Sequence, residues 1–186
     1  MMTYPITVAG VSRELPIRPV SDTLYIAGFV IFGDVEMTTA AAAALNKLVP
    51  DYDYAITAEA KGIPLIHEMT RLSGRNKYIL ARKAPKAYMT SVYAHKVRSI
   101  TTAGEQTLYL DGADMDLMKG KRILLIDDVV STGESMRAIE DLVNAAGGII
   151  VGRATILAEG SAADRDDLIY LEKLPVFNPD GTIKQD

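Results

Sequence analysis

Residues 122–135 read Arg-Ile-Leu-Leu-Ile-Asp-Asp-Val-Val-Ser-Thr-Gly-Glu-Ser, and they limit the fold more than any other stretch of the chain. Ile123, Leu124, Leu125 and Ile126 form a continuous apolar run, as a strand buried on both faces requires. Two carboxylates, Asp127 and Asp128, arrive where that strand should end. Ser131-Thr132-Gly133-Glu134-Ser135 then makes a hydroxyl-rich turn ahead of an amphipathic helix. In open α/β sheets ligands sit beyond the carboxyl ends of the strands, where a helix N-terminus offers unpaired N–H groups and a positive dipole end. The stretch therefore implies a ligand with a phosphate at one end and hydroxyls or a metal at the other. Ser131 and Glu134 also have the spacing of a capping box.

The totals narrow the class. With 186 residues the chain suits one domain spanning residues 1–186, burying about 70% of its unfolded surface. A net charge of -4 argues against a general nucleic-acid or membrane-surface binder. There is no cysteine and there are two histidines, so thiolate chemistry is excluded and any metal should be oxygen-ligated. Neither a signal-like N-terminus nor an apolar run of about 18 residues is present, which reads as a cytoplasmic protein.

Upstream of the central stretch, residues 3–35 are broken by Pro5, Pro16, Pro19, Gly28 and Gly33 into strand-like pieces such as Ile6-Thr7-Val8 and Val30-Ile31-Phe32, a pattern suited to a small hood. Thr38 or Thr39 is expected to N-cap a helix running to about Leu48, with Pro50 beyond it. Tyr54-Ala55-Ile56-Thr57-Ala58 reads as a strand and Glu59-Ala60-Lys61-Gly62 as its exit loop. A helix then carries Leu65, Ile66, Met69 and Leu72 on one face, and a second strand, Tyr78-Ile79-Leu80-Ala81, ends at Arg82-Lys83. Strand-helix-strand of this length implies a right-handed crossover and a parallel pair.

Residues 84–106 show no persistent period and exceed the roughly 12 to 15 residues of an ordinary connection, so they read as a lid. Part of the lid should pair as a hairpin with Thr107-Leu108-Tyr109-Leu110. It contains His95, whereas His67 sits mid-helix and reads as structural. Asp111-Gly112 punctuates the approach to the central strand. After Ser135 a helix places Met136, Ile139, Val143 and Ala146 on one side, offers Arg137 and Asp141 as an i,i+4 pair, and closes at Gly147-Gly148. Residues 149–157 and 168–171 read as further strands. The fold class is α/β: a doubly wound, mainly parallel sheet flanked by helices. Its core covers about residues 50–160, and the hood is drawn from residues 1–36 and the C-terminal tail.

Residues 123–135 closely resemble the phosphoribosyl pyrophosphate (PRPP) signature of the type I phosphoribosyltransferases. Thr57-Ala58-Glu59-Ala60-Lys61-Gly62 resembles that family's pyrophosphate loop, and Arg82-Lys83-Ala84-Pro85-Lys86 is similar to its Arg-Lys-Pro-Gly-Lys segment. Phe29-Val30-Ile31-Phe32-Gly33-Asp34 resembles the hood segment Gly-Ile-Leu-Phe-Arg-Asp of adenine-type members. The resemblance implies that Asp127 and Asp128 hold the ribose hydroxyls while Ser131, Thr132, Gly133, Glu134 and Ser135 wrap the 5′-phosphate. Lys61, flanked by Glu59 and Ala60, would meet pyrophosphate, Arg82, Lys83 and Lys86 would add positive charge, and Phe29, Ile31 and Phe32 would enclose a planar base. It also implies Mg²⁺, reached by Asp127 or Asp128 through water, with PRPP, a purine-type nucleobase and pyrophosphate as partners, and a homodimer. Two departures stand out: Gly33 replaces the hood arginine, and residues 99–104 lack the Glu-Tyr-Gly of adenine-type lids. The expected activity is transfer of phosphoribosyl from PRPP to a purine base, and the second reading is a PRPP-binding regulatory protein without turnover. Lys61, Arg82, Lys83 and Lys86 favour the enzyme, since a sensor has less need of leaving-group chemistry.

Overall fold

The computed structural model describes residues 1–98 and 105–185. In chain order the elements are β1 (Thr3–Val8), β2 (Val11–Pro19), β3 (Tyr25–Ala27), α1 (Val35–Leu45), β4 (Tyr54–Ala58), α2 (Ile63–Leu72), β5 (Ile79–Ala81), β6 (Tyr93–Arg98) and β7 (Glu105–Leu110). They continue as α3 (Gly112–Met118), β8 (Arg122–Val130), α4 (Glu134–Ala145), β9 (Ile149–Glu159), β10 (Ile169–Leu174) and β11 (Val176–Phe177). A short 3₁₀ turn, Gly160–Asp164, follows β9.

Five strands in the order β10-β9-β8-β4-β5 make the parallel sheet, with β8 at its centre. Alternate residues of β8 serve opposite faces. Leu124 and Ile126 pack with Met37, Leu45, Leu65 and Met69 of α1 and α2, whereas Ile123 and Leu125 pack with Met136, Ile139, Leu142 and Val143 of α4. All four strand residues are fully buried, each worth roughly 1.5–3 kcal/mol of burial. The strand does not end at the carboxylates as expected: β8 loses its β4 neighbour after Leu125 but stays paired with β9 to Val130, so Asp127 and Asp128 stand on a strand already open along one edge.

The order β1-β2-β3-β11 makes a second, antiparallel sheet that joins the two ends of the chain. Tyr4 and Phe177 meet edge to face with ring centroids 5.2 Å apart, and Ile6, Val8, Leu15 and Ile17 continue the core on the α1 and α2 side. This is the hood. Among the described residues no helix is long and apolar enough to cross a membrane.

Several expectations need correction. Helix α1 starts at Val35 and is capped by Asp34, which accepts from the Met37 amide at 3.1 Å, so neither Thr38 nor Thr39 is the cap. Arg13 of β2 fixes that Asp34 through two bonds of 2.8 and 2.9 Å, a partner too distant in sequence to be anticipated. Val30-Ile31-Phe32 is not a strand: β3 stops at Ala27, opposite Ile17 of β2 and one residue beyond its last pairing with β11 at Ile26. Asp111-Gly112 begins α3, with Asp111 accepting from Ala113. Ser131 and Glu134 form no capping box, because α4 is capped by Gly133 in the left-handed region without a side-chain bond. Asp141 meets His95 Nε2 at 3.1 Å rather than Arg137. The lid does contain the expected hairpin, β6 paired with β7, and His95 docks it on α4. Residues 99–104, the segment compared with Glu-Tyr-Gly, lie outside the described residues.

Candidate active site

The site is assembled where β4, β5, β8 and β9 deliver their carboxyl ends. Strand alternation sends the two carboxylates of β8 to opposite sides. Asp127 lines a cavity of about 120 Å³ together with residues of the 129–136 segment, while Asp128, 2% exposed, faces the loop after β4. Lys61 from that loop places Nζ 3.3 Å from Asp128 Oδ2, an oxygen that is otherwise buried and accepts no hydrogen bond. A buried carboxylate oxygen with one charged neighbour and an open valence suits a sugar hydroxyl or a water on a cation. Asp127 Oδ1 accepts the Asp128 amide at 2.9 Å. Burial first, and then the adjacent Asp128 charge, push the Asp127 carboxyl up to about 7.

The cavity beside Asp127 is the turn expected to hold a phosphate. Gly133 takes φ of 78°, a conformation that costs glycine little, and turns the chain so that α4 begins at Glu134. The first amides of a helix have no intrahelical acceptor; here the Glu134 amide donates to Thr132 Oγ1 at 3.4 Å, and residues 131–136 line the cavity.

The loop after β4 is tied down by its own acid. Glu59 Oε2 accepts the Lys83 amide at 2.9 Å and Oε1 lies 3.3 Å from Arg82 Nε, so this carboxylate fixes the β5 exit and leaves the ligand side to cations. The Arg82 guanidinium stands 6.0 Å from the Tyr88 ring centroid, and its backbone exchanges two 2.8 Å bonds with Tyr109 of β7. The hairpin is thereby joined to the exit of β5, beside the loop that carries Lys61. Ala60 and Lys83 are exposed, and Lys86 is half-buried.

Gly62 closes the loop with no room to spare, since a methyl group there would run into the Thr57 hydroxyl and stand 3.5 Å from Asp127 Cα. Gly62→Ala is expected to destabilise the protein by about 1–3 kcal/mol. Adding Thr57→Ala should recover part of the stability. Equal melting midpoints for Gly62→Ala and the parent, by calorimetry, would contradict the close approach.

The base-enclosing residues are placed differently from expectation. Phe29 and Ile31 are 6% and 1% exposed and belong to the core, so of the three only Phe32, half exposed, offers a ring face to a planar group. Ile31 and Gly33 instead line a cavity of about 320 Å³ with Ile63, Pro64, His67 and Tyr78. His67 stacks edge-on against Tyr78.

One acidic residue escaped the sequence reading. Glu159, 8% exposed, ends β9 directly beside the phosphate turn, because Ala158 pairs with Val130 in the parallel ladder. Burial raises its carboxyl, opposed by the Ser131 hydroxyl and the Lys61 charge. Only the strand register, which local patterning does not encode, brings it there.

Residues 59–177 match the phosphoribosyl transferase domain family. The chain belongs to that family. A hypoxanthine/guanine phosphoribosyltransferase of Methanocella paludicola is 29% identical over 160 residues, covering 86% of this chain and 76% of the relative. A xanthine phosphoribosyltransferase of Moorella thermoacetica is 32% identical over 124 residues, 64% of this chain and 62% of the relative. Among solved structures, an adenine phosphoribosyltransferase from Rhodothermus marinus superposes with a TM-score of 0.67 at 22% identity, covering 85% of this chain and 94% of that one. At that identity the structural likeness speaks for the phosphoribosyltransferase fold alone.

Proposed function

We propose that this phosphoribosyltransferase moves the 5-phosphoribosyl group of PRPP onto a ring nitrogen of a purine base and releases pyrophosphate. The observation that carries the reading is the convergence of three segments: the phosphate turn after β8, the Asp127 and Asp128 pair, and Lys61 arriving from the loop after β4. A donor with phosphate, vicinal diol and diphosphate in that order fits their sequence in space.

Asp127 and Asp128 accept hydrogen bonds from the ribose hydroxyls and so orient the anomeric carbon. The bond from that carbon to the diphosphate oxygen breaks with its electron pair going to pyrophosphate, the base nitrogen's lone pair forms the new bond, and the ring N–H proton leaves with the released pyrophosphate. Lys61 stands where negative charge grows on the leaving group, with Arg82 held behind it by Glu59. His95 anchors the β6 and β7 hairpin to Asp141 of α4, and closure of this lid over the bound donor would keep water from replacing the base as acceptor.

Among the described residues no group of three histidine, aspartate or glutamate side chains is placed to cage a metal. The donor set still fits Mg²⁺, which takes one or two carboxylates and completes its shell with substrate phosphates and water. Asp128 Oδ2, buried and open, and Asp127 are the groups that would meet it. When bound, the ion offsets the charge developing on the diphosphate.

The test is turnover with PRPP, Mg²⁺ and single bases: adenine, hypoxanthine, guanine, xanthine, orotate and uracil, following nucleotide and pyrophosphate together. Formation of a nucleotide from at least one purine and from neither pyrimidine is expected. PRPP binding without turnover of any base would overturn the enzyme reading in favour of a PRPP sensor, and preferred use of a pyrimidine would overturn the base class.

A further inference from the structure

Gly133 presents to its surroundings the position where any other residue would carry Cβ, and that position faces Arg165. A methyl group there would lie 2.6 Å from Arg165 Nη1 and 3.9 Å from Cζ. The left-handed backbone conformation disfavours a side chain at position 133, and a Cβ there would also push the Arg165 guanidinium aside.

Arg165 follows the 3₁₀ turn after β9, outside the signature segment. Its orientation is held from one side. Nε and Nη2 donate to Asp167 Oδ1 and Oδ2 at 2.9 Å each, the parallel fork that arginine makes with a carboxylate. Asp167 Oδ2 is also 3.4 Å from Arg153 Nε on β9, and Arg153 donates to Glu140 of α4 at 2.7 Å. The chain of pairs ties the guanidinium plane to the helix whose N-terminus opens on the cavity. Nη1 is the nitrogen left over: it points toward the turn, and among the described residues it has no hydrogen-bond partner.

We propose that Arg165 is a binding residue for the 5′-phosphate of the donor, with Nη1 donating to the anion held by residues 131–135. The proposal rests on the reading of the site as a phosphoribosyl-donor site and adds a residue that the signature does not contain. The helix amides supply partial charges only, whereas a guanidinium supplies a full positive charge in a geometry matched to phosphate. Because Asp167 already fixes two of its nitrogens, little rotamer freedom remains to be lost when the ligand arrives.

The experiment is calorimetric titration of the full chain with ribose 5-phosphate and, separately, with pyrophosphate in Mg²⁺, comparing the parent with Arg165→Gln and Arg165→Lys. Arg165→Gln is expected to weaken ribose 5-phosphate binding by about 10- to 100-fold, the size of a lost charged hydrogen bond, and to leave pyrophosphate within twofold. Arg165→Lys should retain an intermediate affinity, since it keeps the charge without the fork. Unchanged ribose 5-phosphate affinity in Arg165→Gln, with base turnover intact, would overturn this assignment and leave the proposed function standing. Equal loss for both ligands in both variants would also overturn it, making Arg165 a support of the fold. A parent protein that binds neither ribose 5-phosphate nor PRPP would overturn the assignment together with the proposed function.

Discussion

Asp127→Asn should abolish tight PRPP binding and, at pH 8, make the protein more stable than its parent. Both effects come from one carboxylate. Its folded-state value of about 7 lies above the ordinary 3.8, so the stability it contributes is full below about pH 4 and is lost as pH rises through 7. Above that point the native state holds a buried charge beside Asp128, which the neutral amide removes while still accepting the Asp128 amide. Three units would amount to about 4 kcal/mol, but part exposure and the charge shared with Asp128 reduce this to about 1–2 kcal/mol, or roughly 3–6 °C in melting midpoint. Calorimetry at pH 5 and pH 8 should show the gain mainly at the higher pH, and a lower midpoint than the parent at pH 8 would contradict the argument. Losing two charged hydrogen bonds to ribose should cost about 100-fold or more in PRPP affinity. Parent affinity should itself fall as pH drops through 7, because protonation of Asp127 does reversibly what the substitution does permanently.

Lys61→Met is expected to lower kcat by about 100- to 1000-fold with a smaller change in KM for PRPP, since the ammonium matters most once charge has moved onto pyrophosphate. Methionine keeps the bulk of the stem and removes the cation. The same change leaves Asp128 Oδ2 buried with neither partner nor countercharge, so the PRPP-free protein should lose stability as well. Steady-state kinetics with the best base would decide it: a kcat within threefold of the parent would remove Lys61 from the chemistry and leave it a structural counterion. Arg82→Met should have a milder effect, because Arg82 is partly spent on Glu59 and stands behind Lys61.

These effects can be argued because the site's parts differ in how they are specified. The strand 54–58 and the helix closing near Gly74 follow from local pattern and agree with the structure to within a residue or two. The helix after the phosphate turn does too, with Met136, Ile139 and Val143 buried as its spacing requires. Where reading failed, a distant partner had decided. Arg13 made Asp34 the cap of α1, and Gly133 in the left-handed region displaced the capping box that Ser131 and Glu134 could have formed. Phe29, expected to enclose a base, is packed into the core between the hood and α1, whereas Ile31, equally buried, lines a cavity of about 320 Å³.

What the sequence determined by itself was the continuous apolar run leading to Asp127 and Asp128 and the glycine turn behind it, and with them the expectation of a phosphate beside a diol, since each is written in adjacent residues. What only the tertiary structure decided was the company those residues keep. Strand order β10-β9-β8-β4-β5 brings Lys61 to Asp128 and Glu159 to the phosphate turn, and the path after β9 brings Arg165 to Gly133. The raised Asp127 carboxyl likewise belongs to the assembled site, because desolvation requires the layers on both sides of β8 to be in place. Local propensities act over a few residues, whereas register and burial are properties of the packed sheet, and the chemistry of this site depends on both.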